Sequence, residues 1–341
     1  MSSASNVSDR AGFSRVGVIG GGAWGTALAQ VARAAGRDTV LWAREPEVAQ
    51  AINTQHENTL FLPGVPLDPA LRATARQSDL ADREVLLLVA PAQHLGAVCH
   101  GLAAIFPAGI PVVNCAKGIE AGSLRLMHAV VAHAWPQAPR AILSGPTFAA
   151  EVARGQPTAV TLACEDRALG GRLVETLGSR TFRPYPTDDV VGAQIGGAVK
   201  NVLAIACGIV EGLGLGHNAR AALVTRGLAE MERLAVTLGG RAETLRGLSG
   251  LGDLTLTCNS RQSRNMALGL ALGQGASLAE LMRDRRSVAE GVHTAAAVAA
   301  LAAREKVDMP ICHAVHAIID EGAEIAAIVA ALLSRPFRNE F

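Results

Sequence analysis

Aromatic residues are scarce in this chain: they make up 3% of 341 residues, and only one is a tyrosine. Half of the residues are nevertheless apolar, mostly Ala, Val, Leu and Ile, a composition that suits helices packed on a buried sheet. Charge of one sign is also missing. Lys and Arg number 31 against 30 Asp and Glu, so at net +1 no global field recruits nucleic acid or an anionic membrane. A local basic site is still compatible with that balance. There is no C-x-x-C pair: Cys99, Cys115, Cys164, Cys207, Cys258 and Cys312 are widely scattered. They read as small core residues in a reducing compartment, not as a disulfide framework or a zinc site. His313 and His316 stand three apart without an H-E-x-x-H context, so no metal is expected. No apolar run of about 18 residues is free of polar breaks, and no membrane span is expected. Residues 1–14 are small and polar with no apolar h-region, which predicts a disordered lead-in and a cytoplasmic address.

What is present begins at residue 15. Residues 15–20 (RVGVIG) form a short β-branched run that stops at glycines, and Gly20-Gly21-Gly22-Ala23-Trp24-Gly25 fits G-x-G-x-x-G. An Ala-rich helical stretch follows, ended by Gly36, and residues 38–43 (DTVLWA) read as a second strand. A lone glycine motif is weak evidence. Set between a strand and a helix, in a βαβ unit of about 30 residues, it is much stronger evidence for dinucleotide binding. Gly20 permits the tight turn, Gly22 lets the backbone approach a pyrophosphate, and Gly25 lets the helix pack on the strand. The N–H groups of the helix start then face the phosphates.

In this pattern a carboxylate after the second strand binds the ribose diol of NAD. Here Ala43-Arg44-Glu45 occupies that place, and Glu45 comes one position late. Arg44 suits a 2′-phosphate, so NADP(H) is favoured and NAD(H) stays usable. Residues 84–90 (EVLLLVA) are continuously apolar, as in a parallel strand covered on both faces. Residues 112–118 and 141–147 each read as a strand running into a polar residue and glycine, and 159–164 and 181–186 as the last strands, the latter with two prolines that suit a sheet edge. Ligands of open α/β sheets sit beyond the carboxyl ends of the strands, which places Lys117, Gly145 and Thr147 where chemistry is usual. A turn or capping role explains each of them equally well alone.

From residue 192 onward helical periodicity dominates, and most of its apolar residues are core. Lys200 and Asn201 head a long apolar run behind Gly196 and Gly197. Two polar clusters interrupt this half: Gly250-Leu251-Gly252-Asp253-Leu254, leading to Thr257-Cys258, and Asn259-Ser260-Arg261-Gln262-Ser263-Arg264-Asn265. The second is a plausible phosphate cradle of planar cation, hydroxyl, amide and backbone donors at a helix start, or else an ordinary capping turn. The predicted organisation is a lead-in over residues 1–14, an α/β dinucleotide-binding domain with a doubly wound, mostly parallel sheet over 15–190, and an all-α domain over 191–341.

These motifs together resemble the NAD(P)-dependent glycerol-3-phosphate dehydrogenases of the bacterial biosynthetic type. The resemblance spans residues 16 to about 310. It rests on the glycine motif, Lys117-Gly118-Ile119-Glu120, Ser144-Gly145-Pro146-Thr147-Phe148-Ala149, Gly196-Gly197-Ala198-Val199-Lys200-Asn201, Gly252-Asp253-Leu254, Ser263-Arg264-Asn265 and Glu290-Gly291. Ala116 departs from it, standing where the family commonly has Thr. The resemblance implies a Rossmann domain followed by an all-helical domain, commonly a homodimer, and reversible reduction of dihydroxyacetone phosphate to sn-glycerol 3-phosphate for glycerophospholipid synthesis. It implies Lys200 as the general acid/base, with Lys117 and Asp253 beside it in the catalytic set. Lys117, Gly145, Thr147, Lys200, Asn201, Asp253, Ser263, Arg264 and Asn265 match substrate positions. Ala23, Trp24, Arg44, Lys117, Ala149, Arg264, Val288 and Glu290 match cofactor positions, beside Gly20, Gly22 and Gly25 of the turn.

Chemistry supports those roles. A hydride arriving at a ketone carbon creates an alkoxide that needs a proton. Lysine, with an ordinary pKa near 10.4, exchanges protons poorly at neutrality unless its surroundings change that. A second cation such as Lys117 disfavours its charge, while Asp253 orients it and favours the charge. Arg264 suits a phosphate because its guanidinium makes paired contacts. The alternatives are a β-hydroxyacid or ketopantoate type dehydrogenase, or a non-catalytic NAD(P)H-binding regulator.

Overall fold

The computed structural model describes residues 11–283 and 289–336. It divides into two compact units, Met1–Lys117 with Arg125–Gln194, and Gly118–Leu124 with Ile195–Phe341. The division falls inside the helix Val190–Gly212, four residues past the expected cut at 190, and assigns the short stretch Gly118–Leu124 to the second unit. At the other end of the first unit, Phe13 belongs to the core. It is buried and its N–H donates to Thr176 Oγ1 at 2.8 Å, so residues 11–14 of the expected lead-in are already part of the fold.

The first unit is built on eight strands: β1 (Arg15–Ile19), β2 (Asp38–Trp42), β3 (Arg72–Thr74), β4 (Val85–Leu88), β5 (Val112–Asn114), β6 (Arg140–Ser144), β7 (Thr158–Ala163) and β8 (Phe182–Thr187). Their order is β3-β2-β1-β4-β5-β6-β7-β8. All neighbours pair in parallel except β6 and β7, which run antiparallel. The proline-bearing β8 lies at an edge, as its sequence requires.

Alternation along each strand separates two apolar layers. Val16, Val18, Val85 and Leu87 point into one cluster with Leu28, Val31 and Leu173. Ile19, Leu86 and Leu88 point into the other with Leu95, Leu102 and Met127. A sheet covered on both faces needs apolar residues at every position of its central strands, which is why residues 84–90 carry no polar alternation. The chain leaves β1 outward through β2 and β3, then returns to β4 on the other side of β1. That reversal opens a crevice beyond the carboxyl end of β1, the place where such sheets hold ligands.

From Ile195 onward every regular element among the described residues of the second unit is a helix; its short stretch Gly118–Leu124 is not helical. The helix Val190–Gly212 is long and apolar enough to cross a membrane, yet its most apolar window is wholly buried inside the protein. Lys200 and Asn201 lie on it, and both are buried. Gly196 lies one turn before Lys200 for a steric reason. A Cβ there would come within 2.2 Å of the Ser249 carbonyl oxygen, so only glycine admits the short π-helical turn Leu248–Gly252 that delivers Asp253.

Candidate active site

In the first unit, β1 runs into the glycine turn at the strand-order reversal. Gly20 has φ of +131°, in the left-handed half of the map that glycine adopts without strain, and its N–H donates to the Trp42 carbonyl at 3.0 Å. A Cβ on Gly25 would lie 1.8 Å from the Gly20 oxygen, whereas one on Gly22 would meet nothing within 4 Å. The start of the helix Ala23–Ala34 is thus packed hard on the strand on one side and open on the other. Gly22 is its N-cap and supplies no side-chain acceptor, which leaves the first-turn N–H groups for an outside anion. These residues fit a dinucleotide diphosphate. Ala23 and Trp24 open that helix. Arg44 follows β2, is 81% exposed and pairs with Glu45 at 2.7 Å. A pair so exposed is worth little and is readily exchanged for a phosphate.

Two more strand ends of this unit carry predicted residues, and the structure brings them together. Lys117, just past β5, donates from Nζ to the Gly145 carbonyl at 3.0 Å. Gly145, just past β6, also accepts from Thr147 Oγ1 at 3.3 Å. Ala149 begins the next short helix, Ala149–Ala153.

The second unit brings another set together. Lys200 Nζ donates to Asp253 Oδ1 at 2.7 Å and to Thr257 Oγ1 at 2.9 Å. The side chains of this ion pair are only 8% and 0% exposed. Thr257 in turn donates to the Asp253 backbone carbonyl at 2.6 Å. Asp253 and Thr257 stand four apart on the helix Asp253–Asn259 and so share a face. Thr257 closes the first polar cluster of the sequence but has no role assigned from it, although that spacing is there to be read. Cys258, its neighbour, is no rival as a proton exchanger: a hydrogen bond with Cys207 and burial push its thiol well above the usual range.

At the residue after Lys200, Asn201 Oδ1 accepts from Asn265 Nδ2 at 3.0 Å, and Asn265 Oδ1 accepts from the Gly291 N–H at 3.0 Å. Asn265 therefore ties the start of the helix Arg264–Gly273 to the start of the helix Glu290–Glu305, where Glu290 sits. Ser263 caps the former, its Oγ accepting from the Met266 N–H at 3.2 Å. Arg264 is the first residue of that helix and is exposed. Val288, expected at the cofactor, lies outside the described residues.

A nucleotide-type glycine turn at the crevice of a mostly parallel sheet, with a buried lysine–aspartate pair on a separate helical unit, defines a two-unit dinucleotide-dependent oxidoreductase architecture. Comparison with known proteins narrows this. Residues 15–170 match the N-terminal model, and residues 189–330 the C-terminal model, of the NAD-dependent glycerol-3-phosphate dehydrogenases. A protein of Rhodospirillum rubrum named glycerol-3-phosphate dehydrogenase (NAD(P)+) is 62% identical, over 95% of this chain and 93% of its own length. One of Caulobacter vibrioides with the same name is 59% identical, over 96% and 99%. The crystal structure of a glycerol-3-phosphate dehydrogenase from Coxiella burnetii superposes with a TM-score of 0.90 at 40% identity, covering 95% of this chain and 99% of that one. The chain belongs to the NAD-dependent glycerol-3-phosphate dehydrogenase family.

Proposed function

We propose that this chain catalyses the reversible, NAD(P)H-dependent reduction of dihydroxyacetone phosphate to sn-glycerol 3-phosphate, with Lys200 as general acid/base. The observation that carries the reading is the buried triangle of Lys200, Asp253 and Thr257. A lysine held at this depth by two partners has a fixed Nζ, and a fixed proton donor is what an oxygen turning into an alkoxide requires. The nicotinamide, when bound, supplies the hydride. In the reduction Lys200 gives its proton to the forming hydroxyl oxygen, and in the oxidation it takes that proton back. Asp253 and Thr257 hold the ammonium in place through the cycle. Lys117 is assigned to polarising the ketone oxygen, and Asn201, bonded to Asn265, to the substrate.

Arg264, with Ser263 and Asn265, is assigned to the substrate phosphate. Arg264→Ala is expected to raise KM for dihydroxyacetone phosphate roughly 10- to 100-fold with little change in kcat, the size of one or two lost charge-assisted hydrogen bonds. The same substitution leaves unphosphorylated dihydroxyacetone unaffected. An equal penalty on both substrates would remove Arg264 from the phosphate. Arg44 is assigned to the 2′-phosphate of NADPH, the favoured donor, with NADH usable. Arg44→Ala should lower kcat/KM for NADPH about tenfold and change NADH by less than about twofold. A loss of the same size with both donors would contradict the assignment.

Glycerophospholipid synthesis as the destination of the product, a cytoplasmic address and a homodimer belong to this proposal too, and sedimentation of the purified chain tests the last of them. The reading as a whole is tested by presenting dihydroxyacetone phosphate and ketopantoate in parallel with NADPH. Turnover confined to the first is the expected result. Turnover confined to the second would favour the ketopantoate type of enzyme.

A further inference from the structure

A buried amide next to the glycine turn has no part in the roles above. Asn58 follows the helix Pro46–Gln55 and is fully buried. Its Nδ2 donates to the Gly21 carbonyl at 2.8 Å and to Thr26 Oγ1 at 2.8 Å. Its Oδ1 accepts from the Phe61 N–H at 3.0 Å, and the Leu62 N–H returns to its backbone carbonyl at 2.9 Å. Both N–H bonds and the carbonyl of this side chain are therefore engaged. It joins the glycine turn, the first turn of the helix Ala23–Ala34 and its own loop.

The contact with Gly21 has a directional consequence. A trans peptide is planar, with its C=O and the following N–H pointing in opposite directions. Holding the Gly21 carbonyl towards Asn58 commits the Gly22 N–H to the other side. Gly22 is the N-cap of the helix, and a Cβ there would meet nothing within 4 Å. Residues 20–22 are three glycines in succession, a backbone soft enough to turn that peptide over. A reversed peptide would present a carbonyl oxygen where the diphosphate needs a donor.

We propose that Asn58 is a positioning residue for the dinucleotide: by holding the Gly21 carbonyl inward it aims the Gly22 N–H at the diphosphate. This rests on the reading of the glycine turn as the dinucleotide site. The test measures dissociation constants of NADPH, ADP-ribose and 2′-AMP for the wild type and for Asn58→Ala. ADP-ribose keeps the diphosphate without the nicotinamide, and 2′-AMP lacks the diphosphate. The variant should bind NADPH and ADP-ribose about tenfold more weakly, one charge-assisted hydrogen bond's worth, and 2′-AMP within about twofold of the wild type. Equal weakening of all three would show general loosening and overturn the proposal, as would an unchanged affinity for ADP-ribose. Truncating a buried asparagine also strains the fold, so wild-type protein with isotopically labelled glycine amides gives an independent check. ADP-ribose should shift the Gly22 amide resonance among the most strongly of all glycines, and a Gly22 resonance that stays in place would overturn the proposal. A wild type that binds none of the three ligands would instead sink the dinucleotide reading itself, and this proposal with it.

Discussion

Lys200→Ala is expected to lower kcat by roughly 10²-fold or more, the usual size of general acid/base catalysis, while NADPH binding stays close to that of the wild type. The split follows from where the residue sits. Lys200 belongs to the helical unit and is bonded to Asp253 and Thr257, whereas the glycine turn and Arg44 belong to the sheet unit. Removing the amine deletes a proton donor and leaves the nucleotide contacts as they were. Steady-state rates with dihydroxyacetone phosphate, together with a fluorescence titration of NADPH, check both halves of the expectation. Unchanged turnover would end the assignment of Lys200. A large loss of NADPH affinity would reassign it to cofactor binding.

Asp253→Ala is expected to act on stability as well as on rate. Asp253 is fully buried and bonded to an ammonium that is itself almost wholly buried. Taking away one partner leaves an uncompensated charge in the interior, which costs about 3–5 kcal/mol. Equilibrium denaturation should show that loss, and a difference under about 1 kcal/mol would mean that water relieves the lysine. The double variant Lys200→Met with Asp253→Leu separates the two roles. Removing both charges and filling the space with apolar side chains should restore much of the stability while the protein stays inactive. Restored activity in the double variant would refute a catalytic role for the pair.

Much of the sheet unit was legible in the sequence because its physics is local. The central strands are unbroken apolar runs, the glycine turn has a fixed spacing, and the prolines of β8 confine it to an edge. The three-residue β3, Arg72–Thr74, has too little pattern to be noticed and exists by pairing with β2. The antiparallel entry of β7 is likewise invisible, since a hydrophobic run does not say which way it will lie. In the helical unit the elements were legible and their meetings were not. Lysine is rarely buried, so nothing local announced the depth of Lys200. That depth depends on Asp253, 53 positions away, and on the glycine at 196 that lets its carrier turn approach. Asn58 shows the limit most clearly. A lone asparagine in a loop has no sequence signature, and its bearing on the turn appears only when Gly21 and Thr26 are seen beside it.

The most direct test of the account is an initial-rate measurement on the purified wild-type chain, with dihydroxyacetone phosphate as the only oxidant and NADPH or NADH as the donor. Stoichiometric oxidation of the nucleotide with formation of sn-glycerol 3-phosphate is the expected result, faster with NADPH than with NADH at equal subsaturating concentrations. Nucleotide binding without any oxidation would contradict it and leave a non-catalytic binding protein as the alternative.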